Sequence, residues 1–299
     1  MILGIDIGGT NIKFGVVDEA YNIIRKYVIP TEASLGDKKI VSNIIAKCME
    51  IKKDYNFKKI GIGTPGRIDS ERGVCVRATN LPWQNTPIAD MLEASVGVKV
   101  TVANDATCAL CGEICAGVGK KYQDFIMITL GTGIGGGICI GGKPYFGVNG
   151  AGGEFGHMTV NYTGAKCSCG GRGCFEQYAS VSALIQQTKE AVEKYPESRL
   201  AQLSTEGKEI SGRTVFEAMS EGCEVAAGVL ERYTDYLVIG IFGLYKIFAP
   251  EAVVIGGAVS GQKDFLLEPI RRKLRVDTKL LVSDLQNDAG IIGAAVIAK

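Results

Sequence analysis

Residues 2–17, ILGIDIGGTNIKFGVV, place a glycine-rich turn between two apolar runs. Residues 125–140, FIMITLGTGIGGGICI, repeat the same order of strand, turn and strand. Glycines in such turns let backbone N–H groups approach phosphate oxygens closely. The repeat therefore predicts two similar lobes, each of which offers one phosphate-binding turn to a cleft between them.

Outside these two units, extended and helical patterns alternate along the chain. Strands are predicted at residues 2–7, 12–18, 22–29, 59–63, 98–103, 124–130 and 252–255. Helices are predicted at residues 37–55, 106–117, 176–195, 215–249 and 289–298. This alternation is typical of an α/β protein, and a length of 299 residues favours two lobes over one core.

Composition and charge exclude several classes of protein. The chain has 33 basic and 32 acidic residues, which argues against nucleic acid or an anionic membrane as the main partner. Residues 125–142 carry no charge, but their seven glycines indicate a ligand-binding turn between strands, not a membrane span. The first residues have no cationic segment or cleavage site, and ten cysteines without a secretion signal suggest a reducing cytoplasm.

The first turn combines several groups that suit a nucleotide phosphate. Gly8 and Gly9 expose backbone N–H groups, Thr10 can donate a hydrogen bond, and Lys13 can neutralise charge. Asp6 stands at the end of the strand and could hold Mg²⁺ through water, because this cation prefers oxygen ligands. The alternative for this segment is an ordinary hairpin turn.

The second turn matches two nucleotide motifs only superficially. Residues 131–136 fit the G-x-G-x-x-G pattern, but the glycine-rich residues that follow are a poor start for the helix that a dinucleotide fold requires. Residues 137–143 nearly fit a P-loop, but Pro144 replaces the Ser or Thr that binds Mg²⁺. We therefore predict neither fold, and expect a phosphate-binding turn between two strands.

A third glycine pair, Gly256-Gly257, follows the apolar run 252–255. A single glycine pattern is weak evidence for nucleotide binding, whereas three such patterns in one chain are stronger evidence. Together with Thr132 and Gly133 of the second turn, this pair predicts a nucleotide bound in a cleft between two lobes.

Asn104 and Asp105 follow the predicted strand 98–103 and are candidates for acid–base chemistry. A carboxylate at this point could accept a proton from a substrate hydroxyl, while the neighbouring amide holds an adjacent group. Alternatively, Asp105 is the N-cap of the helix predicted at 106–117. The spacing alone does not choose between these two functions.

The single histidine of the chain precedes a run of closely spaced cysteines that contains three glycines. The candidate metal ligands are His157, Cys167, Cys169 and Cys174. One imidazole and three thiols could form a closed tetrahedral Zn²⁺ site of the structural kind, although cysteines are also common as small buried apolar residues. Glu154 and Glu176 flank the cluster and could bind hydroxyl groups of a polar ligand, or they could be ordinary surface glutamates.

From end to end, the chain resembles the ROK family of sugar kinases and repressors. Residues 6–10 and 130–137 are similar to its two phosphate motifs, and residues 254–257 to its adenosine motif. Residues 154–176 resemble its zinc and sugar signature without a gap. The resemblance implies a two-lobed, actin-like ATPase (ribonuclease H-like) fold with a ligand cleft between the lobes. The implied lobes are residues 1–117 with a C-terminal helix at about 286–299, and residues 118–285 with the zinc loop.

The resemblance also implies an activity and the residues that perform it. The activity would be ATP-dependent phosphorylation of the 6-hydroxyl of a hexose, first of all glucose, with Mg²⁺, a structural Zn²⁺, and Asp105 as general base. The implied sugar-binding residues are Gly66, Asn104, Asp105, Glu154, His157 and Glu176. The implied nucleotide-binding residues are Asp6, Gly8, Gly9, Thr10, Lys13, Thr132, Gly133, Gly256 and Gly257. His157 would bind zinc through one ring nitrogen and a sugar hydroxyl through the other.

Alternatives within and outside the family stay open. N-acetylmannosamine or N-acetylglucosamine kinases share the same motifs, and polyphosphate could replace ATP as donor. Thr107 and Cys108 depart from the usual family residues, which leaves the substrate preference undecided. A sugar-responsive repressor would need a DNA-binding extension, for which there is no room before Asp6, and a zinc oxidoreductase lacks its dinucleotide helix. We expect a homo-oligomer, first of all a dimer, that binds a sugar and a nucleotide.

Overall fold

The computed structural model of the chain describes residues 1–78, 80–150, 152–205 and 209–299. Their contacts define two compact units. Unit 1 comprises Met1–Lys121, Gly142–Pro144 and Asn287–Lys299, and unit 2 comprises Tyr122–Gly141 and Tyr145–Gln286. Each unit has its own mixed sheet and its own large apolar core.

Unit 1 contains a five-stranded sheet and a small three-stranded sheet. Its strands are β1 (Ile2–Ile7), β2 (Asn11–Val17), β3 (Ile23–Pro30), β4 (Lys59–Thr64), β5 (Arg67–Asp69), β6 (Val74–Arg77), β7 (Gln84–Thr86) and β8 (Lys99–Asn104). The large sheet has the order β3-β2-β1-β4-β8, and the small one the order β5-β6-β7. Because β1, β4 and β8 are parallel, their carboxyl ends share one edge of the sheet.

The helices of unit 1 are α1 (Asp37–Asp54), α2 (Ile88–Val96), α3 (Asp105–Ala116) and the C-terminal helix (Ala289–Ile297). The predicted helix at 37–55 is confirmed, and its apolar stripe of Ile40, Ile44 and Ile51 is buried. The C-terminal helix has apolar and small residues on every side, as expected of a helix inside a core.

Glycines allow the C-terminal helix to lie directly on the large sheet of unit 1. A Cβ atom on Gly61 of β4 would overlap the carbonyl oxygen of Ala294, and one on Gly4 of β1 would overlap that of Ile291. The same helix approaches α3, where a Cβ atom on Gly293 would overlap the carbonyl oxygen of Cys108. Any side chain at these positions would separate the helix from its neighbours.

A second five-stranded sheet belongs to unit 2, apart from Lys143 and Pro144 of its edge strand, which are counted with unit 1. Its strands are β9 (Phe125–Leu130), β10 (Ile134–Ile140), β11 (Lys143–Tyr145), β12 (Ala252–Gly257) and β13 (Lys279–Val282), in the order β11-β10-β9-β12-β13. Strand β9 is antiparallel to β10 and parallel to β12. The strand–turn–strand unit predicted at 125–140 is confirmed, but its turn is shorter than predicted, because residues 134–137 already belong to β10.

The helices of unit 2 are α4 (Glu176–Ala179), α5 (Val181–Lys194), α6 (Arg199–Thr205), α7 (Thr214–Ser220), α8 (Glu224–Phe248) and α9 (Asp264–Lys273). Two predicted helices are interrupted. The first breaks at Ser180, whose hydroxyl accepts the Ala183 N–H and starts α5. The second breaks at Gly222, which has a left-handed φ of 82°. Within the described ranges, no helix is long and apolar enough to cross a bilayer.

The glycine contact between β4 and the C-terminal helix leads to a stability prediction. We expect Gly61→Ala to lower the free energy of unfolding by about 1–3 kcal/mol or more, because the methyl group must displace the helix backbone. The matched control is Gly228→Ala in α8, where a Cβ atom would meet nothing within 4 Å. This control should be neutral or stabilising by up to about 1 kcal/mol. Urea unfolding of both variants tests the difference, and equal unfolding midpoints would contradict the packing argument.

Candidate functional site

The first glycine turn joins β1 to β2 and is exposed. The Gly8 N–H donates to the Asn11 carbonyl at 2.9 Å, which closes the turn. Thr31 stabilises the turn with two hydrogen bonds. The Thr31 hydroxyl donates to the Gly8 carbonyl at 2.7 Å, and the Thr31 N–H donates to the Thr10 carbonyl at 2.9 Å. Gly9 and Thr10 therefore face solvent on a turn whose shape is set by the buried Thr31.

Asp6 and Lys13 face each other across β1 and β2, next to this turn. The Lys13 Nζ lies 3.4 Å from the Asp6 carboxylate. Burial raises the pKa of Asp6, and the Lys13 ammonium group opposes that effect. The pair brings carboxylate oxygens and a cation to one point, which fits a site for phosphate and for a hard cation such as Mg²⁺.

Asn104, and not Asp105, is the N-cap of α3. The Asn104 Oδ1 accepts the N–H groups of Ala106 at 2.9 Å and of Thr107 at 3.3 Å. The Asn104 Nδ2 donates to the Gly66 carbonyl at 3.1 Å. The alternative function of Asp105 as N-cap is therefore wrong, since Asp105 is the first residue of the helix itself.

The carboxyl group of Asp105 is unusually basic for an aspartate. Burial, together with the negative charge of Asp6, raises the pKa of Asp105 to about 6. Such a group is ionised at neutral pH but binds a proton more readily than an exposed carboxylate does. A pKa near the working pH suits a general base.

The second glycine turn lies in unit 2, between β9 and β10. The Gly131 N–H donates to the Gly133 carbonyl at 3.0 Å, and the Gly131 carbonyl accepts the Val181 N–H of α5 at 2.9 Å. Thr132 is exposed at the tip. The turn is thus attached to the start of a helix that the sequence places 50 residues away.

The third glycine pair is not a turn but the end of a strand. Gly256 and Gly257 are the last residues of β12, and they pair with Thr129 and Leu130 of β9. A Cβ atom on Gly257 would overlap the Leu130 carbonyl oxygen. The pair consequently lies beside the second turn, at the same edge of the sheet.

The predicted metal ligands converge on one point of unit 2. The ligand atoms of His157, Cys167, Cys169 and Cys174 all lie within 4.8 Å of one another. Cys167 Sγ is 3.6 Å from His157 Nδ1, and Cys169 Sγ is 3.6 Å from Cys174 Sγ. Tetrahedral zinc ligands at the usual bond lengths stand about 3.5–3.8 Å apart. The donor set and its spacing therefore fit Zn²⁺.

The loop between these ligands depends on a glycine. Gly173 has a left-handed φ of 70°, and a Cβ atom there would overlap the Asn161 carbonyl oxygen. The Gly171 N–H donates to Cys169 at 3.4 Å and lowers the pKa of that thiol, whereas burial raises the pKa of Cys174 to about 12. A bound cation favours the thiolate form of both.

Two carboxylates flank the cluster in different surroundings. Glu154 is exposed, and its carboxylate lies 3.9 Å from His157 Nε2, the ring nitrogen that faces away from the thiols. Glu176 is mostly buried, with Oε1 3.3 Å from Cys167 Sγ. A Cβ atom on Gly133 would lie 2.6 Å from Glu176 Oε2. Glu176 therefore lies between the cluster and the second glycine turn. The alternative that Glu176 is an ordinary surface glutamate is wrong.

Residues 2–299 match the ROK family. The chain belongs to the ROK family. It is 35% identical to a glucokinase of Thermotoga maritima, over 100% of this chain and 97% of the relative. Its structure is similar to a ROK family glucokinase from Streptomyces griseus in complex with glucose and AMPPNP, with a TM-score of 0.89, 36% identity, and coverage of 99% and 98%.

A second similar structure is that of a kinase whose name includes polyphosphate as well as ATP. An inorganic polyphosphate/ATP-glucomannokinase from Arthrobacter sp. strain KM has a TM-score of 0.67 and 26% identity, with coverage of 99% of this chain and 97% of that one. Membership of the ROK family and these structural neighbours confirm the predicted fold, the two-lobed actin-like ATPase fold.

In this ROK protein, unit 1 and unit 2 each gather part of the predicted site. Unit 1 brings Asp6, Gly8, Gly9, Thr10, Lys13, Gly66, Asn104 and Asp105 to the edge where its parallel strands end. Unit 2 gathers Thr132, Gly133, Glu154, His157, Glu176, Gly256, Gly257 and the cysteines of the cluster. Sequence reasoning missed Thr31, because it stands in no motif and its partner Gly8 lies 23 residues away.

The raised pKa of Asp105 predicts a pH-dependent stability. The folded chain keeps this proton up to a pH of about 6, whereas an unfolded aspartate releases it near 3.8, so ionisation opposes folding between these values. We expect Asp105→Asn to raise the free energy of unfolding at pH 7.5 by about 1–3 kcal/mol, and this gain to vanish below pH 4. Urea unfolding at both pH values measures it, with exposed Asp90→Asn as control. A variant less stable than wild type at pH 7.5 would contradict the prediction.

Proposed function

We propose that this chain is an ATP-dependent hexose kinase that phosphorylates the 6-hydroxyl of glucose. Membership of the ROK family and the glucokinase relatives support this activity. The observation that carries the proposal is Asp105, the residue after the N-cap Asn104. The Asp105 Oδ1 accepts the Ala106 N–H at 3.0 Å, and burial together with the charge of Asp6 raises the pKa of Asp105 to about 6.

In the proposed reaction, Asp105 is the general base. The 6-hydroxyl oxygen forms a bond to the γ-phosphorus as the bond from that phosphorus to the bridging oxygen of ADP breaks. The hydroxyl proton passes to the Asp105 carboxylate, so the charge that develops on the attacking oxygen is neutralised. Asn104 and Gly66 would hold the neighbouring hydroxyls, because one N–H of the Asn104 amide is not needed for the Gly66 carbonyl.

The glycine turns would bind the triphosphate. Gly8, Gly9 and Thr10 would donate hydrogen bonds to phosphate oxygens, and Lys13 would neutralise their charge. We assign the same task to Thr132 and Gly133 in unit 2, and contact with the adenosine to Gly256 and Gly257. Mg²⁺, when bound near Asp6, supplies charge neutralisation of the phosphate oxygens.

The cysteine cluster would shape the sugar site. His157 Nδ1 and the three thiols would hold a structural Zn²⁺ that makes the loop rigid. These four ligands would leave no open coordination position on the metal. This leaves the His157 Nε2 for a sugar hydroxyl. The Glu154 carboxylate lies 3.9 Å from this nitrogen, and the Glu176 carboxylate lies 3.7 Å from Nδ1. We infer that the three side chains together bind the ring hydroxyls of the sugar.

A substrate panel with one variant tests the proposed activity. We expect the purified chain with Mg-ATP to phosphorylate glucose faster than N-acetylmannosamine, N-acetylglucosamine, mannose or fructose. Asp105→Asn should lower kcat by about 10²–10⁴, because the amide cannot accept the proton. The KM for glucose should change little, since the amide can still form hydrogen bonds. Coupled detection of ADP measures both constants.

Several outcomes of this panel would overturn parts of the proposal. A variant that retains most of its kcat would remove Asp105 as base. A preference for N-acetylmannosamine or N-acetylglucosamine would replace the substrate but keep the kinase, and activity with polyphosphate would replace or extend the donor. No phosphorylation of any sugar would favour a sugar-binding regulatory protein. The expected homo-oligomer and the expected absence of a nucleic-acid partner stay predictions.

Loss of the metal should damage sugar binding before it unfolds the protein. We expect about one zinc per chain, and we expect Cys169→Ser to raise the sugar KM by about 10²-fold, because disorder in the loop misplaces His157 and Glu176 together. The KM for ATP should change far less. The matched control is Cys115→Ser, which alters a half-buried thiol outside the cluster. Elemental analysis and steady-state kinetics provide the measurements. Purified protein without zinc, or unchanged sugar kinetics, would refute the assignment.

A further inference from the structure

Trp83 is the single tryptophan of the chain and lies in the connection between β6 and β7. Its side chain is buried, and its indole N–H donates to the Thr64 hydroxyl at 2.9 Å. Thr64 is fully buried as well. A buried polar group that loses its partner is costly, so each of these residues constrains the other.

Thr64 is the point at which β4 becomes the loop of residues 64–66. It is the last residue of the strand and pairs with Asn104 of β8. Two residues later, Gly66 has a φ of 113°, and its carbonyl accepts the Asn104 amide at 3.1 Å. The hydroxyl that Trp83 holds is therefore two residues from a backbone group that fixes Asn104.

The same hairpin also limits the other side of this loop. A Cβ atom on Gly66 would stand 2.5 Å from the Arg77 carbonyl oxygen and 2.9 Å from the Ala78 side chain. The Ala78 N–H in turn donates to the Trp83 carbonyl at 3.3 Å. The β6–β7 hairpin thus leaves no space for a side chain at Gly66 and bonds to Thr64 through the indole.

If Trp83 only filled space in the apolar core, its hydrogen bond to Thr64 would not be required. A phenylalanine would fill most of the same core position, but it would leave the Thr64 hydroxyl without its donor. The N–H is directed at the residue that begins the loop, not at another part of the hairpin. The contact is therefore suited to setting the position of the loop as well as filling the core.

We propose that Trp83 is a positioning residue for the sugar: through Thr64 it sets the loop of residues 64–66, and through the Gly66 carbonyl it sets the Asn104 amide. This inference rests on the proposed function, in which Gly66 and Asn104 contact the sugar. Displacement of a binding group by about 1 Å can cost about 10²-fold, so loss of one hydrogen bond in this chain of contacts is measurable. The nucleotide turn at Gly8 lies outside the chain of contacts.

The experiment compares two substitutions at Thr64, of which one removes the hydroxyl group and the other keeps it. Thr64→Val keeps the shape but removes the acceptor, and we expect it to raise the glucose KM and Kd at least tenfold. Thr64→Ser keeps the hydroxyl, and its glucose constants should stay within about threefold of wild type. The KM for ATP should stay within about threefold for both. Partial unfolding alone would lower the active fraction and leave both KM values unchanged.

Trp83→Phe provides a second route if Thr64→Val does not fold. It removes the N–H but keeps an aromatic ring in the core, and it should weaken glucose binding as Thr64→Val does. The double variant should be no worse than either single variant, because all three remove the same hydrogen bond. Additive losses in the double variant, or equal glucose constants for Thr64→Val and Thr64→Ser, would overturn the proposal.

Calorimetric titration with glucose separates this inference from the proposed function. A wild-type chain that binds glucose without phosphorylating it would overturn the kinase, while the comparison of Thr64→Val with Thr64→Ser would still decide the function of Trp83. As the single tryptophan, Trp83 also reports on the loop by its emission. We expect glucose to change that emission in wild type and in Thr64→Ser. Emission that does not respond to saturating glucose in wild type would count against the link between Trp83 and the sugar.

Discussion

The side-chain amide of Asn104 is the group on which the candidate site of unit 1 depends. Its oxygen caps the first N–H groups of α3, and its nitrogen holds the Gly66 carbonyl. Because one planar group makes both contacts, the start of the helix and the loop after β4 cannot move independently. Asp105, the next residue, therefore stands at a defined place, where one carboxylate oxygen accepts the Ala106 N–H at 3.0 Å.

That placement has an energetic consequence. Burial and the nearby charge of Asp6 disfavour the ionised form of Asp105, which is the form a base must have at neutral pH. The same surroundings that make the carboxylate more basic also make the folded chain less stable. Close packing elsewhere offsets such a cost, and the C-terminal helix, which lies on glycines of β1 and β4, is a large part of that packing.

Unit 2 joins its metal cluster to its phosphate turn through one carboxylate. Glu176 Oε1 lies 3.3 Å from Cys167 Sγ, and its Oε2 occupies the space that a Cβ atom on Gly133 would need. A disturbance of the loop that carries the cysteines would reach the turn through this residue. The pairing of Gly257 with Leu130 adds the third glycine motif to the same edge of the sheet. Groups assigned to sugar, metal and nucleotide are thus mechanically connected within one unit.

Much of the site could be predicted from the sequence, because its groups are local in the chain. The strand–turn–strand units, the His157–Cys174 cluster and the Asn104-Asp105 pair each lie within a short stretch, so hydrophobic periodicity and ligand spacing are visible without a structure. Resemblance to the ROK family supplied the functions of these groups. The limits of the predicted elements were less certain, since the turn before Ile134 and the helix break at Gly222 depend on packing.

What the sequence by itself determined is most strands of the two large sheets, the longer helices, the two glycine turns and the His157–Cys174 cluster as a candidate metal site. It did not predict the small sheet of β5–β7, the edge strands β11 and β13, or the shorter helices α2, α6 and α9. Only the tertiary structure decided that Asn104 caps α3, that Thr31 supports the first turn and that Trp83 holds Thr64. It also decided that Gly257 lies beside Leu130. The physical reason is that each of these contacts joins residues from separate elements, or depends on a choice between neighbours that local spacing leaves equal. Such contacts exist only once the sheets have formed and packed.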